Sequence, residues 1–142
     1  MKSIKTKSSL LILLLVGLQF LTIDLSAQTE NESQVVFLRP QRGMGQGIQH
    51  VLSLNGKEVG RLTNGSMLTY TLKEEGNYEL LIKMLLLGAP SGTPFSQKIT
   101  VSKGNPVYVD LRVTYAKIAE IIDTKKAPKL MKKCSYKTEE KE

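Results

Sequence analysis

Apolar and polar side chains alternate along most of the chain between Gln34 and Val113. A period of two puts alternate residues on opposite faces of a pleated strand. Residues 34–39 are rich in β-branched and aromatic types and stop at Pro40, which predicts a first strand closed by proline. Residues 49–54 and 57–62 flank Asn55-Gly56. Both residues of that pair tolerate positive φ, so a two-residue type I′ hairpin is predicted. It sets Leu54 opposite Lys57 and Leu52 opposite Val59, with Leu52, Leu54 and Val59 as one apolar patch. A second pair, Asn64-Gly65, precedes residues 66–72, where Leu68, Tyr70 and Leu72 share a face. Residues 78–84 continue the rhythm with Tyr78, Leu80, Ile82 and Met84. Leu85, Leu86 and Leu87 break it. They are either buried on both faces or an exposed patch that marks a partner or membrane surface. Residues 88–94 (GAPSGTP) predict a loop. Residues 95–101 and 107–113 alternate again, the latter with Tyr108, Asp110 and Arg112 opposite the valines and Leu111.

About seven short strands separated by turn signals predict an all-β sandwich, since one sheet alone would leave its apolar stripe wet. The expected domain covers residues 34–115. Residues 116–142 form a basic C-terminal extension. Across that boundary 114–123 suits a last strand or a short helix, and Pro128 suits the first turn of a short helix running to Cys134.

The ends of the chain add compartment and charge. Lys2, Lys5 and Lys7 precede an apolar run at 10–18, and Ala27 offers a small residue before Gln28. This is the order of a secretory signal peptide over residues 1–27, followed by a polar tether at 28–33. Gln19, Thr22 and Asp24 interrupt the apolar run, which disfavours the alternative of a retained membrane anchor. The expected location is extracytoplasmic, periplasmic or secreted. Lys and Arg outnumber Asp and Glu by 20 to 13, and much of that excess lies in the leader and the C-terminal extension. Lys125, Lys126, Lys129, Lys132, Lys133 and Lys137 follow one another with no acid between them. Such a run is a solvated terminus or an electrostatic contact with anionic envelope material.

Several segments together resemble a bacterial exported family, domain of unknown function family 2846. They are a leading strand ending in Arg39-Pro40, residues 54–62 (LNGKEVGRL), Asn64-Gly65, the strand 107–113 and the tail Lys132-Lys133-Cys134. The Asn-Gly-Lys-x-Val-Gly segment is also similar to PEGA-type surface β-domains. The resemblance implies an extracytoplasmic immunoglobulin-like or transthyretin-like β-sandwich, and it carries no catalytic residues across. No lipid-acceptor Cys follows the leader, unlike in the family's lipoprotein members.

Candidate chemistry is sparse. Nucleophilic catalysis needs a thiol or hydroxyl beside an oriented base. The one His, His50, and the one Cys, Cys134, are far apart in sequence, and His50 reads as an ordinary edge-strand residue. Two such residues supply too few ligands for zinc, and Asp110 and Asp123 stand isolated, which disfavours calcium. The glycines of residues 41–47 (QRGMGQG) lack the Lys-Ser/Thr of a nucleotide loop, so no cofactor is expected. Cys134 reads as a small apolar residue pinning the tail or as an intermolecular thiol. The reading is a non-catalytic, envelope-associated interaction or accessory module. Its expected interaction surface is Arg39, Arg42, Lys125, Lys126, Lys129, Lys132 and Lys133. Its partner would be an envelope protein, a glycan or an anionic lipid, with membrane contact peripheral at most. Nucleic acid is disfavoured by export and by the lack of aromatics among the lysines. The alternative is a small-ligand or carbohydrate binder using Tyr70, Tyr78, Tyr108 and Tyr115; a hydrolase is the remote third.

Overall fold

In the computed structural model the apolar stripes of the predicted segments face one another across two sheets, as an all-β sandwich requires. Residues 32–114 and 117–138 are described. The signal peptide, its cleavage point, most of the tether, Tyr115 and residues 139–142 lie outside the described residues. The strands are β1 (Ser33–Arg39), β2 (Ile48–Leu54), β3 (Lys57–Leu62), β4 (Ser66–Leu72), β5 (Gly76–Leu86), β6 (Ala89–Val101), β7 (Val107–Leu111), β8 (Ala119–Ile122) and β9 (Tyr136–Lys137), with one short helix, α1 (Ala127–Met131). One sheet runs β8-β7-β1-β4-β9 and the other β3-β2-β5-β6. Val35, Phe37, Leu52, Leu68, Leu80, Ile82 and Val109 fill the space between them.

Asn55 and Gly56 both have positive φ, 48° and 81°, so the first Asn-Gly pair forms the predicted tight turn. Leu54 pairs with Lys57 as expected, but Leu52 pairs with Gly60 because the register shifts between Leu52 and Ser53. This bulge takes Val59 out of direct opposition to Leu52 and still buries it in the core. The second pair behaves differently. Only Gly65 is left-handed, and Ser66 N donates to Thr63 O at 3.2 Å. That turn carries the chain from one sheet to the other.

The loop expected at 88–94 is a strand. Leu87 and Gly88 make a two-residue turn with φ of 50° and 87°, and Leu86 pairs with Ala89. The prolines are tolerated because β6 is an edge strand. The ambiguous stretch 114–123 supplies β8, which pairs antiparallel with β7.

The segment after β8 covers the outer face of the five-stranded sheet. Val36, Leu38, Met67 and Ile122 are buried there with Ala127 of α1, and Leu130, Met131 and Cys134 pack against them. Pro128 sits in the first turn of α1, where its missing N–H is harmless. β1 is therefore buried on both faces, which explains its continuous Val-Val-Phe-Leu run. If the outer cluster is a true core, Leu38→Ala costs about 2–5 kcal/mol, as a core truncation does. Urea denaturation beside Leu52→Ala, in the inter-sheet core, checks that the two losses are comparable.

Candidate functional site

One end of the sandwich collects most of the unusual side chains. β1, β3, β5 and β7 finish there, and β2, β4, β6 and β8 begin there. The connections at this end are the loop 40–47, the turn 63–65, the hairpin tip Leu87-Gly88 and the loop 112–118.

Arg39 closes the core at this end. Its position on β1 aims it inward with Val35 and Phe37, and it is only 2% exposed. Its guanidinium donates to Ile48 O and Leu62 O (3.1 Å) on the opposite sheet and to Gly45 O (2.7 Å) in the loop. Burial and then the neighbouring Arg42 lower its pKa to about 10. Sequence reading placed Arg39 on an interaction surface, and the structure corrects this. A long cation at a strand end turned inward because strand-end carbonyls there need donors.

His50 is also corrected. It lies on β2, an interior strand, is fully buried, and its Nε2 sits 3.2 Å from Arg112 O. Burial first, then the charge of Arg39, pull its pKa down to about 4. Among the described residues its Nδ1 has no hydrogen-bond partner.

Asp110 is not isolated. It is 1% exposed beneath the C-terminal segment. Arg42 Nη2 donates to both of its oxygens at 2.9 and 3.0 Å, and Arg112 Nε donates to Oδ2 at 2.9 Å. Arg42 also donates to Leu111 O at 2.8 Å, and Arg112 pairs with Glu120. The hydrogen bond it donates to Asp110 keeps the Arg112 guanidinium protonated beyond its ordinary range. Asn64 exchanges hydrogen bonds with the backbone of Arg42 in both directions. The two guanidiniums, Arg39, Met44, Asn64 and Leu111 line a pocket of about 420 Å³.

Apolar side chains are exposed at the same end, Met44 among them lining the pocket. Met44 is 74% exposed, Leu87 88% and Leu86 47%. Gly47 abuts the Leu86 and Leu87 side chains, and Leu87 N donates to Gly47 O at 3.2 Å. The leucine run is thus the exposed alternative at Leu86 and Leu87.

The lysine run divides. Lys133 O accepts from Gln41 N at 2.9 Å, so Lys132 and Lys133 lie near this end. Lys125 and Lys126 follow the far end of β8, with Lys129 on α1 between the groups. All five are exposed. Tyr70 and Tyr78 pack against the inter-sheet core, and Tyr108 packs in the outer cluster. Cys134 lies on that outer face with its thiol pKa raised by burial, whereas His50 lies between the sheets. Sequence reading missed Arg112, although Asp110 and Arg112 share a strand face at a spacing of two. It also missed Met44.

These features define an all-β sandwich with a cationic, apolar-tipped loop end. No protein-family model, no curated protein and no solved structure matches the chain. Among the described residues no cluster of metal-ligating side chains occurs, and no helix is long and apolar enough to cross a membrane.

Two outcomes follow from the buried groups. His50 is neutral when folded, with its pKa below the unfolded value of 6.5. Between those values the unfolded chain binds the extra proton, so stability present above pH 6.5 falls as pH drops toward 4. Wild type loses about 2 kcal/mol more between pH 7 and pH 5 than His50→Leu does, read from urea midpoints. Asp110→Asn keeps the shape but leaves two guanidiniums facing each other. With both partly exposed, the loss is about 1–3 kcal/mol in the same assay.

Proposed function

We propose that the protein is an exported, non-catalytic accessory module that works by peripheral contact with the cell envelope, in keeping with the resemblance its turn and strand motifs carry. The observation that carries this reading is where its ionisable groups go. The buried ones hold the fold together. Arg39 serves backbone carbonyls, Asp110 serves two arginines, and His50 lies against a carbonyl. Partly exposed Arg42 and Arg112 and exposed Lys132 and Lys133 instead lie at the same end of the strands as exposed Met44, Leu86 and Leu87. Such a surface suits adhesion, and nothing in it is poised for bond-making.

A second reading is a small-ligand or carbohydrate binder, favoured by the pocket between Arg42 and Arg112. The two separate in a fractionation experiment. Expressed in a secreting bacterial host, the full chain sediments with envelope material at low salt and is released at high salt, because screening weakens exposed cation contacts. A chain that stays in the soluble periplasmic fraction at low salt overturns the envelope reading and leaves the ligand binder.

A further inference from the structure

We propose that the loop end docks on an anionic phospholipid surface, with Met44, Leu86 and Leu87 entering the interface and a headgroup phosphate seated between Arg42 and Arg112. This rests on the envelope reading and names its partner.

The apolar part is built into the backbone. Leu87 takes a φ of 50° at the tip of the β5–β6 hairpin, a conformation that favours Gly, Asn or Asp and disfavours a branched apolar residue. A leucine held there at 88% exposure gains nothing inside the molecule. Gly47 brings the loop that carries Met44 against Leu86 and Leu87, so two connections present one patch.

The charged part has an excess that the protein does not neutralise. The carboxylate of Asp110 is taken by Arg42 and Arg112 and that of Glu120 by Arg112 and Lys117, three cations to two carboxylates. Arg39 has only carbonyls. Arg42 Nε and Arg112 Nη1 have no acceptor among the described residues. Both side chains are more than a third exposed and line the same pocket. Donors on separate guanidiniums approach from different directions, which a tetrahedral phosphate accommodates better than a planar carboxylate.

The surroundings favour a membrane over a protein partner. Protein interfaces bury apolar centres depleted of charge. Here Met44 lines the same pocket as the Arg42 and Arg112 guanidinium groups, with Leu86, Leu87, Lys132 and Lys133 at the same end of the strands. That order matches acyl chains beneath an anionic headgroup layer. At the opposite end of the strands Glu32, Glu74, Glu75 and Asp123 are balanced by Lys73, Lys103, Lys125 and Lys126, whereas at the loop end Arg42, Arg112, Lys117, Lys132 and Lys133 outnumber Asp110 and Glu120, so an anionic surface draws the loop end.

The test is sedimentation of the full chain with vesicles of equal parts phosphatidylglycerol and phosphatidylcholine, against phosphatidylcholine alone. Leu87→Asn is the informative variant, because Asn suits the turn and leaves folding intact. Its partition into the mixed vesicles falls about tenfold while its thermal midpoint holds or rises. Met44→Glu, on an open loop, falls by at least as much. Equal sedimentation of wild type and Leu87→Asn overturns the proposal. So does salt-released envelope association with no vesicle binding, a result that leaves the broader reading standing. Saturable binding of inorganic phosphate with no vesicle binding also overturns it, assigning the pocket to a free anion.

Discussion

The arrangement at the loop end depends on a single guanidinium reaching between two sheets. Strand-end carbonyls on β2 and β3 face inward where their ladders stop, and an unpaired buried carbonyl is costly. Arg39 answers them from the other sheet. Its third acceptor, Gly45 O, lies in a loop that only glycine can shape this way. Gly45 has a φ of 84°, and a Cβ there would stand 2.9 Å from Val113. Holding that loop down also places Arg42 over Asp110. A charge solvated by carbonyls keeps its sign, so the neighbouring His50 stays neutral and the positive field extends outward.

The C-terminal segment supplies the second constraint. Without α1 and Cys134 the outer face of β1 and β4 would expose Val36, Leu38 and Met67. The same covering buries Asp110, which sits on the outward face of β7. One apolar cover thus serves two ends. It completes a core, and it removes water from the carboxylate that fixes Arg42 and Arg112. A carboxylate left in solvent would hold them far more loosely.

Much of the fold was legible in the chain. β3 and β4 appear with the bounds that alternation assigns, and the Asn55-Gly56 turn follows from backbone freedom alone. The misreadings have physical causes. Gly and Pro in 88–94 are loop residues by composition, but an edge strand has one side free of hydrogen bonding and admits them. A one-residue bulge at Val59 is invisible to a strict period of two. Less of the loop end was legible. Arg39 read as part of an interaction surface, His50 as an ordinary edge-strand residue and Asp110 as isolated, because apart from Arg112 beside Asp110 their partners lie in other strands and loops. Arg42 pairs with Asp110 across the whole sandwich sequence, and no local spacing encodes that.

The position of β1 also governs when the molecule can take shape. The first strand lies at the centre of its sheet, antiparallel to β4 and parallel to β7. Val35 has to wait for Val107, and its outer face has to wait for α1 beyond that. Closing such distant pairs precedes any stabilising return, so assembly is slow and comes after most of the chain exists. A growing chain cut anywhere before β7 keeps its first strand half unpaired and open to strand exchange or chaperone capture.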